Sequence, residues 1–237
     1  MNPTSTATPP EALRSWTNQH PRREAIQQHG FSLNLAWWNN RILHLRGGPV
    51  AGADGREDWI DRGHLFAMAQ AARDDETGGS ALQLLWSTLA WGTGTNHRNS
   101  PRRIASIEAR PDHAGLLLRD AARLSVTDPR GAFLLLQPGR NAIGFLGPNF
   151  FTKFLYFAGG GEPSHPCLIV DNRVLVSLFR ETGNSDFAPR TTNYGVEVYE
   201  SALSQMVEWA EGLSHAGRTV GPDEVERWAF SAGGRRG

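Results

Sequence analysis

The sequence predicts a mainly α-helical fold with a small β-rich attachment near its N-terminus. Most of the chain after residue 57 carries apolar residues at helical spacing, and several of these stretches open on a helix-capping residue. A shorter stretch before it alternates apolar and polar residues, as a β-strand does. Hydrophobic residues make up 39% of the 237 and charged residues 20%, which is typical of a globular domain with a buried core.

Composition excludes several classes of protein. The formal net charge is zero, so overall charge does not predict a nucleic-acid partner and local basic patches must be considered instead. The single cysteine, Cys167, excludes an internal disulfide and any four-cysteine cluster, and we expect no metal and no cofactor. No apolar run approaches membrane-spanning length, and the N-terminus resembles no signal peptide. We expect a cytoplasmic monomer with no membrane partner.

The N-terminal part divides into short pieces. Residues 1–9 are polar and proline-rich, which predicts a disordered tail, and Pro9-Pro10 predict the start of a short helix. Alternation over residues 31–37, followed by Asn39-Asn40, predicts a β-hairpin. The Gly-rich residues 46–58 predict a loop. We therefore divide the chain into a tail (1–9), an N-terminal segment (10–56) and a helical domain (57–237).

Capping residues mark helix starts in the helical domain. Ser80 is predicted to cap one helix, Ser100 with Pro101 a second, and Asp128 with Pro129 a third. Further helical patterns cover residues 58–72, 193–213 and 221–230.

A lysine interrupts the apolar helix predicted from Pro148 to Phe157, which Gly159–Gly161 should end. Lys153 would share a stripe with Asn149 at helical spacing, with apolar residues on both sides. An amine among apolar groups is a better nucleophile than a solvated ammonium. The alternative is a solvated lysine whose stem packs on the core while its charge reaches water.

Asp171 precedes a second apolar helix and is predicted to be its N-cap. Capping alone would explain the residue. A carboxylate in this position is also stabilised as an anion by the helix N-terminus, and an anion can stabilise a cation that develops in a reaction.

The order of these residues resembles the helix-hairpin-helix DNA glycosylases, especially the 8-oxoguanine glycosylase branch in its bacterial form. That branch has a Thr-Lys pair, a Gly/Pro-rich loop and a Val-Asp pair that opens a helix. Here these are Thr152-Lys153, residues 159–166 and Val170-Asp171. The resemblance implies a helical glycosylase domain in which Lys153 is the Schiff-base nucleophile and Asp171 the active-site acid.

Two further stretches are similar to the family, and together the resemblance covers roughly residues 80–232. Residues 84–107 resemble an apolar helix that breaks into an Asn-rich turn, which enters the gap left by an extruded base. This similarity implies DNA contacts for Asn96, Arg98 and Asn99. Residues 226–233 resemble the helix that lines the base pocket, which implies that Phe230 stacks on the base and Glu226 reads its edge.

The hairpin and the pocket depart from the family pattern. Gly147–Phe151 stand where the family has Leu-Pro-Gly-Val-Gly, and Asn149 in this stretch remains a candidate DNA contact. Phe157 occupies the position of a base-contacting cysteine, so it is a predicted pocket residue and specificity for 8-oxoguanine is not implied. Glu226 is an acceptor, which suits an exocyclic amine such as that of cytosine.

Basic residues cluster on the segments that resemble DNA-contacting ones. Residues 98–110 contain four arginines and one glutamate, an excess of three positive charges. Arg103 in this cluster and Arg173 after Asp171 are predicted phosphate contacts. The alternative is that these arginines are simply solvated.

These observations predict a DNA glycosylase that extrudes a damaged or modified base from duplex DNA and leaves an abasic site, with a lyase step through Lys153. One alternative is a defence enzyme that removes a modified cytosine from phage DNA. Another is a catalytically inactive helix-hairpin-helix module, in which Lys153 only contacts phosphate. A third is a helical protein–protein scaffold.

Overall fold

The computed structural model describes residues 8–52, 58–188 and 193–234. Within them the protein is mainly helical with one two-stranded sheet, so the predicted fold class is confirmed. None of the described helices has the length and apolarity needed to cross a membrane. The α-helices are α1 (Glu11–Gln19), α2 (Leu35–Ile42), α3 (Arg62–Ala67), α4 (Ala69–Asp74), α5 (Gly79–Thr93), α6 (Ser100–Glu108), α7 (Pro111–Leu124), α8 (Pro129–Leu136), α9 (Pro148–Phe157), α10 (Asn172–Thr182), α11 (Val196–Leu213) and α12 (Pro222–Gly233).

The small sheet differs from the predicted hairpin. Strand β1 (Gly30–Ser32) pairs antiparallel with β2 (Trp59–Asp61), and Asn39-Asn40 lie inside α2. The hairpin prediction was wrong because Asn34 caps a helix, its side chain accepting from the Trp37 amide at 2.9 Å. The predicted disordered tail lies, for residues 1–7, outside the described residues, as do residues 53–57 of the predicted loop.

Most predicted helices are present, with shifted starts. The Asp128 cap is confirmed, since its carboxylate accepts from the Gly131 amide at 2.8 Å. Ser80 and Ser100 are not N-caps: each lies inside its helix, after Gly78 and Asn99 respectively. Gly78 adopts a positive φ of 76° there, a conformation that glycine tolerates without strain.

The core is centred on α5, which is buried along most of its length and packs against α4, α7 and α9. Helix α12 packs on α10 and α11. Leu13, Ile26 and Trp38 from the N-terminal segment belong to the same hydrophobic cluster as α5 and α9. The N-terminal segment is therefore packed into the same core as α9, the helix that carries Lys153.

Candidate active site

Lys153 lies on α9 and is almost entirely buried, with 5% of its surface exposed. Its Nζ donates to Asp171 Oδ2 at 2.8 Å and to the Asn149 carbonyl at 2.7 Å. Because the ammonium group is held by these two acceptors, the alternative of a lysine that reaches bulk water does not describe this side chain.

Asp171 caps α10 and binds the lysine at the same time. One carboxylate oxygen, Oδ1, accepts from the amides of Arg173 and Val174 at 3.0 and 3.3 Å. The other, Oδ2, accepts from Lys153. The predicted N-cap is confirmed. The hydrogen bonds to the two oxygens together hold the carboxylate in one orientation.

The chain between the two residues brings them together by reversing direction after α9. Gly160 and Gly161 adopt positive φ values of 69° and 80°, which allow the reversal that begins where α9 ends. Thr152 then links α9 to the segment that precedes Asp171. Its Oγ1 accepts from the Val170 amide at 3.3 Å and donates to the Pro148 carbonyl at 2.7 Å. The pairs Thr152-Lys153 and Val170-Asp171 are thus placed side by side.

The ion pair borders a cavity of about 400 Å³, a volume within the usual range of small-ligand sites. Four aromatic rings form much of its wall. A Cβ on Gly92 would lie 3.2 Å from Lys153 Cδ, so a larger residue there would crowd the lysine stem. The lining residues are Phe31, Trp91, Gly92, Thr93, Gly94, Asn149, Phe150, Lys153, Asp171, Asn172, Arg173 and Phe230.

His29 supports three of these rings from outside the cavity wall. Its ring centroid lies 5.0 Å from that of Phe31, 5.6 Å from Trp91 and 6.4 Å from Phe230, all in edge-on arrangements. Burial, with the nearby charges of Arg62 and Arg227, lowers the pKa of His29 to about 2. Burial among these rings therefore favours a neutral His29 at physiological pH.

Five of the predicted site residues meet at this cavity: Lys153, Asp171, Asn149, Arg173 and Phe230. The Arg173 guanidinium lies 4.8 Å from the centre of the Phe230 ring, and Arg173 is exposed at the N-terminus of α10. Arg173 thus combines a ring contact in the cavity wall with a position at which a phosphate can bind.

Asn96, Arg98 and Asn99 are exposed on the turn of residues 94–99, between α5 and α6. The turn is anchored by His97, whose ring stacks on Trp37 with centroids 3.9 Å apart. All three side chains face solvent on a supported turn that begins at the cavity residue Gly94.

Arg103, a predicted phosphate contact, lies in a different environment from the one expected. It is buried, its Nε donates to the Phe145 carbonyl at 2.9 Å, and its guanidinium lies 3.8 Å from the centre of the Phe150 ring. Because these contacts use the side chain inside the protein, Arg103 supports the cavity wall and does not face a phosphate.

Phe157 and Glu226 do not reach the cavity. Phe157 is fully buried behind Trp91, with ring centroids 5.2 Å apart. Glu226 is also fully buried and forms an ion pair with Arg62, Oε2 to Nη1, at 2.8 Å. Burial raises the pKa of Glu226, an effect that the Arg62 charge opposes. The structure therefore corrects both predicted pocket assignments.

Several cavity residues were not predicted. Phe150 could have been found, because it stands one helical turn before Lys153 and shares its face. Trp91 and Thr93 end the apolar helix just before the Asn-rich turn, which was a usable signal. No signal in the sequence indicated Phe31, because β1 reaches the cavity through its pairing with the distant β2.

The fold and site together define a mainly helical protein with a buried lysine–aspartate pair beside an aromatic cavity. A family model described as "OGG: Putative 8-oxoguanine DNA glycosylase OGG-like protein" matches residues 24–230. The chain belongs to this OGG-like family. The match includes β1, α5, α9, α10 and Phe230, and so all the elements that line the cavity. Comparison with curated proteins and with solved structures gave no match.

Proposed function

We propose that the protein is a DNA glycosylase that extrudes one base from duplex DNA and breaks its N-glycosidic bond. The observation that carries the proposal is the Lys153–Asp171 ion pair, held at 2.8 Å on the wall of an aromatic cavity. A flipped base needs flat apolar surfaces on which to stack, and a reacting sugar needs charged groups beside it. Membership of the OGG-like family supports the same activity.

The geometry supports a role for Asp171 at the cationic stage of the reaction. When the glycosidic bond breaks, its electron pair leaves with the base and positive charge develops on the sugar. Asp171 is held by the two α10 amides, so its carboxylate is already oriented and needs no rearrangement to stabilise that charge.

Lys153 would supply the nucleophile. Its Nζ must first transfer a proton, for which Asp171 Oδ2 is the bonded acceptor; Asp171 would pass this proton to the departing base and so regain its negative charge. The neutral amine then forms a bond to C1′ of the sugar in place of the broken bond to the base. Opening of the sugar ring gives an imine, and elimination of the 3′ phosphate from this imine would nick the strand. This is the lyase step of the proposed activity.

The surrounding residues would hold the DNA. Helices α8 and α9 with their connection, residues 137–147, are the proposed helix-hairpin-helix unit. The exposed turn of residues 94–99 would enter the duplex, and Arg173 would bind a phosphate beside the cavity. The choice of base stays open to test, because Glu226, which suggested cytosine, is bound to Arg62 outside the cavity.

The test is excision from a panel of duplexes and phage genomes that contain different damaged or modified bases, followed by an assay for abasic sites. We expect release of at least one base by the natural protein. Asp171→Asn keeps a capping side chain and should lower excision about 10²–10⁴-fold while DNA binding is retained.

The matched control is Asp128→Asn, which changes the corresponding N-cap of α8, at the end of that helix opposite the α8–α9 connection and outside the cavity lining. This variant should excise normally. Unchanged turnover in Asp171→Asn would contradict the role of the acid. Salt-dependent DNA binding without release of any base would favour the inactive DNA-binding module.

A further inference from the structure

The connection between α8 and α9 presents an aromatic ring to solvent. Phe145 is 52% exposed, and its φ of 62° lies in the left-handed region that side-chain-bearing residues rarely adopt. Among the described residues it is the one non-glycine residue with a positive φ. Such a conformation persists only where its surroundings hold it, and it is common where the protein contacts a ligand.

Contacts with α6 hold this conformation in place. Arg103 Nε donates to the Phe145 carbonyl at 2.9 Å, and the Gly144 amide donates to Ser106 Oγ at 2.8 Å. A Cβ on Gly144 would lie 2.7 Å from that oxygen, so the loop is pressed against α6. The Arg103 guanidinium also packs on Phe150. One guanidinium therefore separates the Phe145 backbone from the cavity wall.

The charge around Phe145 suits a polyanion. Residues 94–107 and 137–157 together contain no aspartate or glutamate. Their exposed basic residues are Arg98, Arg102 and Arg140, while Arg103 and Lys153 are buried. The Arg102 guanidinium lies 5.3 Å from the centre of the Phe145 ring. A rigidly held apolar ring beside an exposed arginine, on segments without acidic residues, matches a partner that has phosphates outside and flat apolar faces inside.

We propose that Phe145 is an intercalating wedge whose ring enters the base stack of the duplex beside the extruded nucleotide. This inference rests on the proposed glycosylase function. Apolar side chains, phenylalanine among them, separate base steps in this way, and a ring replaces part of the stacking that extrusion removes. The turn of residues 94–99 has only polar side chains at its exposed Asn96, Arg98 and Asn99, so Phe145 supplies the apolar surface that this turn lacks.

The test uses Phe145→Gly, which removes the ring and relaxes the left-handed backbone, so that the fold is not put at risk. The probe is a duplex with a tetrahydrofuran abasic analogue next to 2-aminopurine, compared with an intact duplex of the same sequence. We expect Phe145→Gly to lose about tenfold or more of the preference for the analogue. The rise in 2-aminopurine fluorescence on binding should be lost with it, while thermal stability is kept.

Two further variants complete the design. Phe145→Tyr should retain both signals, and Leu116→Ala, which removes another exposed apolar side chain on α7, should change neither. A natural protein that prefers the analogue, with the preference kept in Phe145→Gly, would overturn the wedge and leave the glycosylase function intact. No affinity of the natural protein for any duplex would overturn both. Self-association without DNA that Phe145→Gly abolishes would also overturn the wedge, because it would assign the ring to a contact between copies.

Discussion

Two buried ion pairs of the same length lie on opposite sides of one aromatic wall. Lys153–Asp171 borders the cavity, while Arg62–Glu226 lies behind Trp91, and both are 2.8 Å long. The Arg62 guanidinium lies 5.5 Å from the Trp91 ring. The side chains of the first pair are 6% and 13% exposed, and those of the second are 1% and 0% exposed.

This difference in exposure indicates which ion pair can react. Lys153 and Asp171 can meet a ligand, and Asp171 keeps two backbone donors when the lysine leaves it. Glu226 is paired with Arg62, and Arg62 Nη1 also donates to the Tyr156 hydroxyl at 3.1 Å. A buried charge that loses its partner has no solvent to replace it. The first pair is therefore suited to chemistry and the second to support of the cavity wall.

The largest effect should come from breaking the buried pair. Arg62→Met leaves the Glu226 carboxylate without its counter-charge and should lower the free energy of unfolding by about 3–5 kcal/mol. Lys153→Met should cost about 1–2 kcal/mol, because Asp171 keeps its backbone partners. Chemical denaturation measures both. The double variant Arg62→Met/Glu226→Leu should recover most of the lost stability. Equal losses for Arg62→Met and Lys153→Met would contradict the distinction between the two ion pairs.

A smaller effect on the free energy of unfolding is expected when the pH is lowered, and it tests the residues that support the cavity wall. His29 has a pKa lowered to about 2, so below its ordinary pKa of 6.5 the unfolded chain binds a proton that the folded protein does not. Stability should therefore fall as pH drops from about 6.5, by at most about 1.4 kcal/mol per pH unit.

The measurement is the free energy of unfolding between pH 7 and 4.5 for the natural protein and for His29→Leu, which cannot take up this proton. Burial also lowers the pKa of His97 and His165, so the informative quantity is the difference between the two pH slopes. Parallel slopes would show that His29 is protonated in the folded protein.

The smallest effect should be on DNA binding. Arg173→Gln removes one proposed phosphate contact and should weaken duplex binding about tenfold, with the salt dependence reduced by about one ion. Arg119→Gln is the control, because Arg119 on α7 is paired with Glu76 and Asp120. Titrations at several salt concentrations measure both. An unchanged salt slope in Arg173→Gln would remove this residue from the DNA-binding surface.

The sequence predicted the local features of the site and not its long-range ones. Helix α9, its lysine and the Asp171 cap follow from helical spacing and capping, which depend on neighbours in the chain. Phe31 reaches the cavity through β1–β2 pairing across about thirty residues, which no local pattern encodes. Glu226 was misassigned because its partner, Arg62, is distant in sequence, and burial rather than residue type decides what a carboxylate does.

The central claim is that Lys153 is the nucleophile of a glycosylase, and borohydride trapping tests it most directly. The protein is incubated with a duplex that carries the base released in the excision panel, and the reductant converts the imine into a stable covalent bond. We predict a protein–DNA adduct for the natural protein and for Asp128→Asn, and none for Lys153→Ala. An adduct that persists in Lys153→Ala would contradict the claim.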